Sequence, residues 1–121
     1  MAKILIVDDS PTEVRQLADM LRKHGYEVVS AETGKNGIAM AATEQPELVL
    51  MDVVMPETNG FQATRQITRG ETTKHIPVII VSAKDQDTDR VWAARQGARG
   101  YLTKPVKEAE LMSAISGALG G

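Results

Sequence analysis

Leu48-Val49-Leu50-Met51-Asp52-Val53-Val54-Met55-Pro56 decides the fold. The four leading apolar residues are too few for a free-standing helix and read as a buried strand, which runs into a carboxylate and a Met-Pro turn with Asn59-Gly60 behind it. Open parallel sheets bind ligands outside the carboxyl ends of their strands, so this strand delivers Asp52 to the place where chemistry occurs. Taken singly, an Asp after a strand is more commonly a turn or cap residue. Its meaning depends on what stands beside it.

The same arrangement recurs on both sides of this stretch. Ile4-Leu5-Ile6-Val7 is a continuous apolar run, the pattern of a strand covered on both faces, and it ends on Asp8-Asp9. Ser10-Pro11-Thr12-Glu13 then opens a helix, with Ser at the cap, Pro at the first helical position and Glu placed to complete a capping box. Val14, Leu17, Ala18 and Leu21 follow at helical spacing, and Gly25 stops the helix. Residues 26–31 form a second strand, without an acid or nucleophile at its end, and lead to a short helix with Ile38, Ala41 and Ala42 on one face, closed by Pro46.

Beyond Asp52, a polar helix over residues 60–69 turns Phe61 and Ile67 inward. Val78-Ile79-Ile80-Val81 ends on Ser82 and gives way to a helix through Val91 and Ala94 to Gly97. A short fifth strand, Gly100-Tyr101-Leu102, meets Thr103-Lys104-Pro105, and the last helix carries Leu111, Ala114, Ile115 and Ala118. Five βα units predict an α/β fold: a five-stranded parallel sheet with right-handed crossovers and helices on both faces, in the flavodoxin-like order 2-1-3-4-5. In that order the unmarked second strand is an edge, and the loops carrying Asp8-Asp9, Asp52, Ser82 and Lys104 converge on one crevice.

Composition narrows the function. A chain of 121 residues makes one domain, here expected to span residues 1–121 with no output domain. A net charge of −2 with scattered Lys and Arg supplies no basic stripe for nucleic acid. Without cysteine there is no disulfide framework, thiolate metal site or thiol catalysis. The short first apolar run is neither a signal-peptide core nor a spanning helix, which predicts a cytoplasmic protein with no membrane insertion.

Three carboxylates brought together raise the pKa of at least one of them unless a cation neutralises them. An all-oxygen donor set without Cys or a well-placed His favours Mg²⁺, which keeps several waters and binds alongside phosphate. A carboxylate can attack phosphorus to give an aspartyl-phosphate, and the charge of the transferring group calls for a metal, a cation such as Lys104 and a donor such as Ser82.

Asp8-Asp9, Asp52 with Met55-Pro56 and Gly60, Val81-Ser82-Ala83, Gly97-Ala98, Tyr101 and Lys104-Pro105 together resemble the signature of response-regulator receiver domains, the CheY-like family, over the whole chain. The resemblance implies that Asp52 is the phosphoacceptor and that Asp9 and Asp52 bind Mg²⁺ directly, with Asp8 assisting and a backbone carbonyl from Val54. It implies Ser82, Ala83 and Lys104 on the phosphoryl group, a cis bond before Pro105, and a switch through Ser82 and Tyr101. The implied partners are a histidine kinase as phosphodonor and a downstream protein on the surface of the fourth helix, fifth strand and fifth helix. Residues 59–65 and 75–81, with the ending at Gly121, are most similar to stand-alone PilH-like receivers of the type IV pilus twitching-motility pathway, a chemosensory-like phosphorelay.

Other readings compete. A Mg²⁺-dependent aspartyl-phosphate phosphohydrolase wants a second Asp two residues after its nucleophile, where this chain has Val54. A flavin-binding electron carrier wants a hydroxyl-rich phosphate loop where Asp8-Asp9 would repel the phosphate. His24 reads as a helix-end residue facing free carbonyls, His75 as a loop residue, and Met20, Met40, Met51 and Met112 as core filler. Trp92 reads either as half-buried packing or as an exposed contact.

Overall fold

The computed structural model describes residues 2–55 and 59–120, so Pro56 of the expected turn and the terminal Gly121 lie outside the described residues. Strands β1 (Lys3–Val7), β2 (Glu27–Ala31), β3 (Leu48–Met51), β4 (Val78–Ser82) and β5 (Gly100–Thr103) alternate with helices α1 (Pro11–Lys23), α2 (Gly34–Glu44), α3 (Gly60–Arg69), α4 (Asp87–Arg95) and α5 (Glu108–Ala118). The sheet is parallel throughout in the order β2-β1-β3-β4-β5, the predicted order.

Side chains alternate across a strand, and the inner strands split their apolar residues between two cores. Leu5, Val7, Val49, Met51, Val78 and Ile80 point to one face, where Ala41 of α2, Ala63 and Ile67 of α3, and Ala93 of α4 cover them. Ile4, Ile6, Leu48, Leu50, Ile79 and Val81 point to the other, beneath Leu17, Ala18 and Leu21 of α1 and Leu111 and Ile115 of α5. Each fully buried aliphatic side chain contributes about 2 kcal/mol by leaving water, so the three inner strands anchor the fold.

Helix faces differ from the sequence reading in three places. In α2 the buried residues are Gly34, Gly37 and Ala41, while Ala42 is exposed. In α3 they are Gly60, Ala63, Thr64 and Ile67, and Phe61 is only half-buried. In α4 Ala93 alone is buried; Val91, Ala94 and Trp92 are exposed, which settles Trp92 as a surface residue. His24 caps the end of α1 as read, its N–H donating to the Leu21 carbonyl at 3.0 Å, while its ring Nε2 lies 3.0 Å from the Glu108 carboxylate of α5. Of the methionines read as core, Met51 is buried and Met20, Met40 and Met112 pack as partly buried residues. Among the described residues no helix is long and apolar enough to cross a membrane.

Candidate functional site

Backbone hydrogen bonds continue beyond the strand ends and fix the loops that carry the polar residues. Asp8 N–H donates to the Ala31 carbonyl at 3.0 Å, Asp52 N–H to Val7 at 2.9 Å, and Lys104 N–H to Ser82 at 2.8 Å. Gly60 N–H, at the start of α3, donates to the Val53 carbonyl at 3.0 Å and brings the start of α3 against the end of β3. These bonds tie the end of β1 to β2 and β3 and the end of β5 to β4, and the pairing of β3 with β4 brings the two groups to one rim.

Asp8, Asp9 and Asp52 each present a carboxylate oxygen there, all within 4.8 Å of one another. Asp8 and Asp52 are buried and Asp9 is exposed. Asp8 Oδ1 accepts from Ser10 N–H at 2.9 Å, and Asp52 Oδ1 accepts a longer bond from Val54 N–H at 3.4 Å. The Val54 side chain is exposed, as is Ala83. Lys104 approaches across the rim, with its ammonium 3.2 Å from Asp8 Oδ2 and 3.5 Å from Asp52 Oδ1, and it also bonds Glu13 Oε2. The Lys104-Pro105 bond is cis, as the resemblance implies.

Burial pushes the Asp52 carboxyl above its ordinary range; Lys104 pulls it back only in part, and Asp8 adds to the rise. Burial opposes the charge of Lys104 as well, but the hydrogen bond to Glu13 and the fields of Asp52 and Asp8 outweigh it, and Lys104 stands above an ordinary lysine. An oxygen-only set of two buried carboxylates and one exposed carboxylate, open to water on the Asp9 side, fits a hard cation that retains part of its hydration shell. Lys104 alone does not neutralise the group.

Ser82, at the end of β4, is fully buried, and its Oγ accepts from Lys84 N–H at 3.1 Å. Tyr101, on the neighbouring strand, is half-buried against the core, and its hydroxyl donates to the Lys84 carbonyl at 2.8 Å. Arg90 of α4 covers the Tyr101 ring with its guanidinium 4.8 Å from the centroid and bonds Asp85 and Thr103. Both side chains read as switch residues therefore hold the same backbone unit, one at its N–H and the other at its carbonyl.

Sequence reasoning missed Glu13 as a site residue because the capping box already accounted for it. The box is half formed: Glu13 N–H donates to Ser10 Oγ at 3.4 Å, but Ser10 N–H is taken by Asp8 and the Glu13 carboxylate goes to Lys104. Two acceptors competing for one N–H, Asp8 and Glu13, was the signal in the sequence.

Residues 4–116 match the family described as Response regulator receiver domain, and the chain belongs to that family; it is a CheY-like receiver domain of a two-component system. The chain is 60% identical over 121 residues to Protein PilH of Pseudomonas aeruginosa, with the whole of both chains covered. The chemotaxis protein CheY4 of Vibrio cholerae superposes with a TM-score of 0.92 at 28% identity, over 98% of this chain and 99% of that one. The receiver domain of a Pseudomonas aeruginosa sensor histidine kinase superposes with a TM-score of 0.90 at 32% identity, over 99% and 98% of the two chains, and holds a magnesium ion in its active site cleft.

Proposed function

We propose that this chain is a stand-alone cytoplasmic response regulator that accepts a phosphoryl group on Asp52 from a histidine kinase and passes the signal to a protein partner in the control of type IV pilus twitching motility. The observation that carries the reading is the cluster of Asp8, Asp9 and Asp52 facing Lys104. The pathway rests on the full-length similarity to PilH. In the transfer an Asp52 oxygen forms a bond to phosphorus, the phosphorus–nitrogen bond of a phosphohistidine breaks, and the imidazole leaves. Asp8, Asp9, Asp52 and the Val54 carbonyl would hold Mg²⁺, which supplies positive charge beside the transferring group. Lys104, Ser82 and the Ala83 N–H hold the phosphoryl oxygens. Val54, apolar and exposed, offers no acid to expel the group again, which disfavours a phosphohydrolase.

Acetyl phosphate tests this without a kinase. Intact mass should rise by one phosphoryl group with Mg²⁺ present and stay unchanged with EDTA or in Asp52→Asn. Undiminished labelling of Asp52→Asn would assign the phosphate elsewhere.

Output follows from the shared hold on Lys84. A Ser82 hydroxyl drawn to the phosphoryl group abandons the Lys84 N–H, and the Lys84 carbonyl, with Tyr101 bonded to it, moves as well. The face made by α4, β5 and α5 changes in consequence. Ser82→Ala should still be labelled on Asp52, yet lose most of the amide shift changes around Tyr101 that beryllofluoride, a stand-in for the phosphoryl group, induces in the parent chain. Full changes in Ser82→Ala would mean that coupling takes another route.

A further inference from the structure

Glu13 is the third residue of α1, and the helix end leaves its carboxylate without a task, since Ser10 N–H is bonded to Asp8 at 2.9 Å. That carboxylate reaches Lys104, whose side chain is only 16% exposed. Of the three acids around the ammonium, Asp52 is the one at 3.5 Å, beyond the 3.2 Å of Asp8 and beyond Glu13. An ammonium has three protons in a fixed fan. Two of them are directed at Glu13 and Asp8, and the ion pair to Asp52 is the longest of the three, so the ammonium sits nearer the α1 side than the Asp52 oxygen. A half-open cavity of about 310 Å³, with Leu17, Met20, Val81 and Val106 in its wall, lies beside the pair and gives water access to it.

We infer that Glu13 is a positioning residue: it holds the Lys104 ammonium toward α1 in the unmodified chain, so that a phosphoryl group entering at Asp52 must win Lys104 from it. Glu13 therefore slows transfer and sets how readily small phosphodonors modify the protein. The inference rests on the reading of Asp52 as phosphoacceptor. A partly buried charge-assisted hydrogen bond of this kind corresponds to about a five-fold change in rate.

Initial labelling rates with sub-saturating acetyl phosphate and Mg²⁺, together with the Lys104 ammonium resonance identified by its absence in Lys104→Met, test it. Glu13→Gln should be labelled about five-fold faster than the parent. Glu13→Asp keeps the charge at the helix end but is one methylene shorter, and it should be faster as well. Glu32→Gln, which removes an acid just past β2 without touching Lys104, should leave the rate unchanged. In Glu13→Gln the ammonium resonance should move toward its position in the parent bound to beryllofluoride. An unmoved resonance, a Glu13→Asp rate equal to the parent's, or acceleration by Glu32→Gln equal to that of Glu13→Gln would overturn the inference, the last two by showing a field effect rather than a held ammonium. A parent chain that takes no label removes the phosphoacceptor reading itself, whereas a labelled parent with every Glu13 variant at its rate removes only the role of Glu13.

Discussion

Gly60→Ala is expected to lower the stability of the folded chain by about 3 kcal/mol or more, and the unfolding temperature by roughly 10 °C. A Cβ on Gly60 would fall inside the van der Waals shell of the Asp52 carbonyl oxygen, 2.7 Å from the Asp52 carbonyl carbon and 2.7 Å from Val53 Cα. These are backbone atoms and cannot rotate away. Asp52 N–H is pinned to Val7 and Gly60 N–H to Val53, so relief requires breaking the tie between α3 and the end of β3. The residue displaced is Asp52, and labelling by acetyl phosphate should fall even in the fraction that remains folded. Urea unfolding measures the first effect and intact mass the second; an Ala variant that unfolds at the parent's midpoint would mean that α3 does not start against Asp52.

Lys104→Met should destabilise the metal-free chain at neutral pH by about 3 kcal/mol, because it strips the cation from two buried carboxylates. Glu13, more exposed, adds little. The pH dependence has a definite sign. In the parent, Lys104 is raised above an ordinary lysine, so its contribution is full below the unfolded lysine pKa and is lost only as pH rises through the folded value, in alkali. In the variant, Asp52 loses the offset from Lys104 and rises further. A raised carboxyl gives stability that is full below the unfolded carboxylate pKa and lost as pH rises through the folded one, so the deficit should shrink on acidification. Added Mg²⁺ should raise the variant's unfolding temperature more than the parent's. A deficit constant from acid to neutral pH would point to lost packing instead of charge.

Strand positions were legible because strands covered on both faces leave uninterrupted apolar runs, as Ile4-Leu5-Ile6-Val7 and Val78-Ile79-Ile80-Val81 do. The convergence of Asp8, Asp9, Asp52, Ser82 and Lys104 followed from topology alone, since all of them trail strands of one parallel sheet. Helix faces were less legible where glycine carries the contact. Gly37 lets α2 lie so close to β1 that a Cβ there would be 2.7 Å from a Val7 methyl, and that approach turns Ala42 outward. A pattern of apolar side chains cannot register a contact made by a missing one. In α4 the apolar residues Val91 and Trp92 face water and a single Ala meets the core, so apolar spacing there described a surface instead of an interior. Glu13 was hidden by a local explanation that sufficed.

The ion pair between Asp8 and Lys104 joins residues 96 positions apart, from the loop after the first strand to the loop after the last. Until the intervening strands have paired, forming it means closing a long loop, so it belongs to the late, non-local contacts of the fold. β5 is also an edge strand, held to the sheet on one side only, and sub-global opening most readily begins at such elements. Detachment of β5 with α5 would remove Lys104 and Tyr101 while β1 and β3 keep Asp8, Asp9 and Asp52 together. Such an opening would separate the acidic from the cationic half of the site, and amide hydrogens of β5 should exchange sooner than those of β1 and β3.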